Sequence, residues 1–225
     1  CWRTRIWTAR SGSTSTMIDA RAGAGAALLR SPGPRVVVLI SGRGSNLAAL
    51  LRHADVGPHI VGVIASRGDA AGAAAAAASG LPVAVVEARA FADRAAFDAA
   101  LLAQLRAWSA DWVVLAGFMH ILGDAVLGAY HRRIVNIHPS LLPAFPGLRP
   151  HRQALAAGAT VSGCTVHLVE PGAVDGGPIL AQAEVPVLPG DTEEALAARV
   201  LEAEHRLYAP TIATLLGVAD TRAIC

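Results

Sequence analysis

From residue 35 onward the chain alternates short apolar strands with helical segments. This predicts an α/β protein with a doubly wound, Rossmann-like, mostly parallel sheet and helices on both faces. Three observations carry the prediction. The strands include continuous aliphatic runs such as VVVLI, the pattern of a sheet buried on both sides. Helices separate successive strands, as right-handed crossovers between parallel strands require. Near the C-terminus two longer strand segments flank a glycine-rich turn, which extends the sheet with an antiparallel hairpin.

In order, residues 35–40 read as the first strand and 47–53 as a helix. A strand at 59–65 precedes an alanine-rich helix that Gly80 closes, since glycine accepts the left-handed conformation past a helix end. Residues 82–86 form a third strand and 91–108 a long amphipathic helix. Strands at 112–117 and 133–138 flank a short helix near 121–130. Strands at 160–170 and 179–187 enclose the turn 171–178. Asp191 or Thr192 then caps a final helix to about residue 216, with Glu193 and Glu194 favourably placed at its positive end.

Residues 35–216 are therefore expected to form one domain, with 217–225 as a tail. Residues 1–34 differ in being rich in Arg, Ser, Gly and Ala, with Asp19 as their single acid and Ser31-Pro-Gly-Pro34 as their end. They read as a disordered extension or non-native sequence in preference to a targeting peptide, because their apolar stretch is short and broken by glycine. A net charge of +2 without a basic block argues against nucleic acid, and no apolar run has the length of a membrane span. The three cysteines, Cys1, Cys164 and Cys225, form no CxxC pair and point to a reducing, cytoplasmic compartment, with Cys164 a buried strand residue. A homodimer is one assembly the sequence leaves open.

The loop Ser41-Gly42-Arg43-Gly44-Ser45-Asn46 joins the first strand to the first helix. Its glycines let backbone approach a ligand, and the helix start offers free N–H groups to a phosphate. It is neither GxxxxGK[ST] nor GxGxxG, which disfavours an NTPase or dinucleotide site and leaves a phosphate monoester. A tight turn with an asparagine cap is the alternative.

In Ile-Val-Asn-Ile-His-Pro, residues 134–139, Asn136 and His138 stand two apart in an extended segment and project from one face. A donor beside an imidazole at a strand end suits activation of a carbonyl. Asp175, on the glycine-rich turn Val174-Asp175-Gly176-Gly177-Pro178, is the candidate partner, since a nearby carboxylate favours the imidazolium. Taken singly, each of the three also fits a structural role. His167 fits either a supporting shell or the core, and His205 reads as packed or solvated. His151 lies at a helix start, and the histidine spacings do not suggest zinc. Trp108 and Trp112 read as packing residues.

These residues fall within VVVLISGRGSNL, VVLAGFMHIL, IVNIHPSLLPAFPG, HRQAL, VHLVE, VDGGPIL and the pair Glu204-His205. In that order the motifs resemble the phosphoribosylglycinamide formyltransferase family of folate-dependent enzymes, over about residues 35–214. The resemblance implies 10-formyltetrahydrofolate as co-substrate, glycinamide ribonucleotide as acceptor and no metal. It places the ribonucleotide phosphate on Gly44, Ser45 and Asn46, with Glu204 at the glycinamide or ribose end. It places folate on Arg94 and on Met119, His120, Ile121 and Leu122, largely through backbone, with the loop 170–175 over the pterin and Asn136 bridging to the formyl group. His138, Asn136 and Asp175 would be the catalytic residues, serving direct formyl transfer in de novo purine biosynthesis.

The departures are Arg43 between the loop glycines, His120 where arginine is usual, Arg149-Pro150 before His151, and an unfamiliar ending after about residue 216. The runner-up readings are a formyltetrahydrofolate deformylase, a methionyl-tRNA formyltransferase and a non-catalytic module that binds a phosphorylated metabolite. The first two call for an additional domain, and the third has no use for a charged imidazole.

Overall fold

The computed structural model describes residues 6–7, 33–172 and 174–219. Its strands are β1 (Ile6–Trp7), β2 (Val36–Ile40), β3 (Ile60–Ala65), β4 (Val83–Val85), β5 (Trp112–Leu115), β6 (Ile134–His138), β7 (Val161–Leu168) and β8 (Ile179–Pro186). They build one sheet in the order β1-β4-β3-β2-β5-β6-β7-β8. Strands β4, β3, β2, β5 and β6 run parallel, and β7 and β8 continue the sheet antiparallel. The short β1 pairs antiparallel with β4. The remainder of the segment 1–34, apart from residues 33–34, lies outside the described residues, as do 220–225 of the tail.

The helices are α1 (Ser45–Arg52), α2 (Ala71–Ala78), α3 (Arg94–Ala107), α4 (Asp124–Ala129), α5 (Pro150–Ala156) and α6 (Glu193–Leu216). Strand pleating divides the core into two layers. Val36, Val38 and Ile40 of β2 pack with Leu47 and Leu50 of α1, Ala76 of α2, and Leu196 and Val200 of α6. Val37 and Leu39 turn the other way, onto Phe97 and Leu101 of α3 and Val126 of α4. Burying each of these large side chains is worth about 1.5–3 kcal/mol, so both faces of the sheet are needed to hold the fold. Tyr208 of α6 crosses one layer, and its hydroxyl lies 2.8 Å from the Leu115 carbonyl and 3.2 Å from the Val135 carbonyl, tying α6 to the parallel strands β5 and β6.

Capping explains where the helices depart from the expected spans. Helix α1 begins two residues early because Gly44, at φ 75°, turns the chain directly into it. Helix α3 begins three residues late because the Asp93 carboxylate accepts from the Ala96 N–H (2.8 Å) and fixes the start there. Thr192 caps α6 by accepting from the Ala195 N–H (3.2 Å), and Gly217 closes it at φ 67°. In the order of the parallel strands, the reversal of direction falls between β2 and β5, and a crevice beyond such a switch point is where open α/β sheets bind ligands.

Candidate active site

Three groups of residues gather at the carboxyl ends of β2, β5 and β6, which are neighbours in the sheet. At the end of β2, the glycine loop delivers the chain into α1. Ala48 is the first residue whose N–H closes onto Gly44 O (2.9 Å), so the N–H groups of Ser45, Asn46 and Leu47 precede the helical ladder. Gly44, at the N-cap position, has no side chain to cap this end. Gly44 and Gly72 touch backbone to backbone: a Cβ on Gly44 would stand 2.6 Å from the Gly72 Cα. The Gly72 N–H also donates to Gly42 O (3.1 Å), so the start of α2 braces the loop.

Asn46 turns inward and donates Nδ2–H to Glu204 Oε2 of α6 (2.9 Å), while its Oδ1 is buried with no partner among the described residues. Burial pushes the Glu204 carboxyl up to about 7, against the stabilising bond from Asn46. Asn46 and Glu204, which the resemblance assigns to different ends of the ribonucleotide, thus lie in contact, and the carboxyl changes charge near neutrality. Arg43 points outward and is exposed.

At the end of β6, Asn136 and His138 share a face, as the two-residue spacing requires. The turn after β7 brings Asp175 back to them. Asp175 Oδ2 stands 3.2 Å from His138 Nδ1 and accepts from the Gly147 N–H (2.9 Å). His138 Nε2 lies 3.0 Å from the Phe145 carbonyl. Both ring nitrogens thus face acceptors, and both bonds form together only when the ring carries two protons. Burial pushes the Asp175 carboxyl up, but His167, the Gly147 N–H and the charge of His138 outweigh it and hold it below the ordinary carboxylate range.

His167 joins the cluster from β7, where it lies opposite Asn136. Its Nδ1 donates to Leu168 O (2.9 Å), and its Nε2 stands 3.2 Å from Asn136 Nδ2 and 3.6 Å from Asp175 Oδ1. This fixes the Asn136 amide while leaving one of its N–H groups for a ligand. His167 is only 1% exposed, so it is a buried residue that also touches Asn136, which suits both of its sequence readings. The antiparallel register that sets it opposite Asn136 is long-range information that the local pattern around it lacks. Ser140, fully buried, was not singled out by the sequence. Its hydroxyl lies 2.6 Å from Ala144 O and 3.2 Å from Phe145 O, shaping the loop that meets His138.

At the end of β5, Met119 and Ile121 are exposed while Leu122 is buried, so the segment offers apolar side chains and backbone at the surface. The His120 ring packs between Phe97 and Phe118, each with centroids 5.4 Å away. Arg94 does not reach the His138 cluster. Its guanidinium donates to Ile121 O (2.8 Å) and approaches Asp98 at 3.6 Å, holding this segment from behind. A Cβ on Gly123 would strike Asp98, so glycine permits the close approach. Beyond it, Ser66, Arg67, Asp69, Glu87, Arg89 and His120 line a depression of about 310 Å³ in which both arginines are ion-paired.

Among the described residues no group of three or more histidines, cysteines or acids is placed to hold a metal. Cys164 is buried, and burial pushes its thiol up to about 12, which makes it unreactive. His151 and His205 each carry a buried ring nitrogen with no partner among the described residues, and burial lowers the pKa of both.

The chain is similar to known proteins along most of its length. The formyl transferase family profile matches residues 34–212. The phosphoribosylglycinamide formyltransferase of Mycobacterium tuberculosis is 47% identical over 183 residues, covering 80% of this chain and 84% of the relative. The trifunctional purine biosynthetic protein adenosine-3 of Drosophila pseudoobscura pseudoobscura is 45% identical over 200 residues, 87% of this chain, and the chain spans 15% of that much longer relative. Among solved structures, glycinamide ribonucleotide transformylase 1 from Symbiobacterium toebii superposes with a TM-score of 0.80 at 45% identity, covering 89% of this chain and 97% of the other. With a family profile spanning most of the chain and the Mycobacterium tuberculosis relative matched over 84% of its length, this chain belongs to the formyl transferase family.

Proposed function

We propose that this chain is a phosphoribosylglycinamide formyltransferase, moving the formyl group of 10-formyltetrahydrofolate to the amine of glycinamide ribonucleotide in purine biosynthesis. The observation that carries the reading is the Asp175–His138 contact of 3.2 Å beside Asn136, at the end of the strand next to β5. The ribonucleotide phosphate is received by the N–H groups of Ser45 and Asn46 and by Gly44, and Glu204 faces its glycinamide or ribose end. The folate lies along Met119, His120, Ile121 and Leu122, on the segment that Arg94 braces.

The amine attacks the formyl carbon and a tetrahedral intermediate forms with negative charge on oxygen. The free N–H of Asn136 and the positive charge of His138 stabilise that oxygen. The bond from carbon to the folate nitrogen then breaks; that nitrogen gains a proton and the former amine loses one. His138 delivers the first proton by exchanging the Phe145 carbonyl for the folate nitrogen, while Asp175 orients the ring through Nδ1 and takes up the second, directly or through water. The reaction needs neither a metal nor a covalent enzyme intermediate.

The test is to incubate the protein with 10-formyltetrahydrofolate, with and without glycinamide ribonucleotide, and follow tetrahydrofolate. Product only with the ribonucleotide supports the transferase. Product without it points to a deformylase, and none in either case leaves a binding module.

A further inference from the structure

We infer that Ser41 is a positioning residue that holds the acceptor-binding loop and the donor-binding segment at a fixed separation, through the hydrogen-bond chain Ser66 Oγ, Ser41 Oγ, Met119 N. The inference rests on the functional reading above. Ser41 is the first residue after β2 and opens the glycine loop. Its Oγ accepts from the Met119 N–H (2.8 Å) and lies 2.7 Å from Ser66 Oγ, while its own N–H donates to Gly117 O (3.0 Å). Ser66, just past β3, is anchored in turn by donating its N–H to Ile40 O (2.9 Å). Both serines are buried, at 7% and 3% exposure. A single hydroxyl thus joins three strand ends, two of which carry the proposed subsites for different substrates.

The chemistry explains the need for such a tie. Two separately bound molecules react only when amine and carbonyl carbon reach attack distance, and a displacement of about 1 Å can cost on the order of 100-fold in rate. Removing the Ser41 hydroxyl leaves the Met119 N–H without this partner, and the Ser66 hydroxyl without it in a buried setting. Each binding element keeps its own ligand contacts, but their spacing loosens.

The test is Ser41→Ala in the full chain, with three readouts: thermal unfolding, the dissociation constants of glycinamide ribonucleotide and of tetrahydrofolate measured separately, and the single-turnover transfer rate at saturation. The expected result is a loss of about 10-fold or more in the saturated rate, with both dissociation constants within about threefold of the parent. An unchanged saturated rate overturns the inference, as do dissociation constants that weaken as much as the rate falls. Ser66→Ala keeps the Met119–Ser41 bond and is expected to lose less rate than Ser41→Ala, again without loss of binding; an equal or larger loss contradicts the chain. If Ser41→Ala does not fold, the Ser66→Ala rate decides, and parental transfer in it overturns the inference. A parent protein that binds both ligands and transfers formyl, beside a variant that does so equally well, sinks this inference alone. A parent that does neither sinks the functional reading with it.

Discussion

Strand β2 and strand β7 are similarly buried, yet they bury different things. Every residue of β2 is a buried aliphatic, whereas β7 sets Ser162, Thr165 and His167 among its apolar residues. Burying a polar group without a partner costs about 1–3 kcal/mol, so these positions add stability only where they are matched. Thr165 is matched well. Its Oγ1 donates to Ser140 O (2.7 Å), accepts from the Leu142 N–H (3.0 Å) and meets Gln182 Nε2 (2.9 Å). Ser162 has no such partner among the described residues. We read the apolar parallel strands β2 and β5 as a platform whose end loops would bind the ligands, and the junction of β6 with antiparallel β7 as the edge that carries the polar side chains proposed to act. Ligand binding and chemistry should then be separable by mutation.

The largest effect expected is from His138→Ala, which removes the charged ring at the proposed reacting centre: turnover should fall about 10²–10⁴-fold, read in a steady-state formyl-transfer assay. Retained turnover would place the chemistry elsewhere. Asn136→Ala removes the amide donor and should cost about 10²–10³ in turnover, with folate binding less affected. On the platform side the pattern should invert. Gly44→Ala puts a Cβ 2.6 Å from the Gly72 Cα at a φ of 75°, which displaces the phosphate loop. The KM for the ribonucleotide should rise about tenfold or more, a larger change than that in turnover at saturation, since the loop's own ligand contacts are lost first. A fall in saturated turnover matching that of Asn136→Ala would dissolve the division between the halves.

The smallest effect is on stability. The Glu204 carboxyl moves from an ordinary value of 4.5 to about 7 on folding. The folded state therefore binds more protons than the unfolded one between those values, and stability declines as pH rises from about 4.5 to 7. Glu204→Gln removes this titration. Its melting temperature should vary less with pH across that window and exceed the parent's at pH 8, while its ribonucleotide affinity falls. A parent and variant whose melting curves shift in parallel with pH would show that Glu204 does not titrate there.

Much of this was legible in the sequence because it is local. Aliphatic runs, glycine after strands and Thr192 before α6 each specify their own element, and Asn136 and His138 share a face by spacing alone. The helix starts were displaced where a cap decides them, as at Gly44 and Asp93. What local pattern could not supply was the register of β6 against β7. That register puts His167 opposite Asn136, and the turn that follows carries Asp175 within reach of both histidines. Arg94 was read as a folate contact from the family resemblance alone; its bond to Ile121 O depends on how α3 packs beside β5 and was not legible. The Phe145 carbonyl at His138 Nε2 is likewise a product of loop shape and not of residue type.

The division between a binding platform and a reactive edge is tested most directly by Asp175→Asn, measured for ribonucleotide affinity and for turnover on the same preparation. Asparagine retains an oxygen for the Gly147 N–H but removes the charge that faces His138 Nδ1 at 3.2 Å. Turnover should fall on the order of 10²-fold or more while the ribonucleotide dissociation constant stays within about threefold. Equal losses of affinity and turnover, or turnover that survives, would contradict the role given to Asp175 and with it the separation of the two halves.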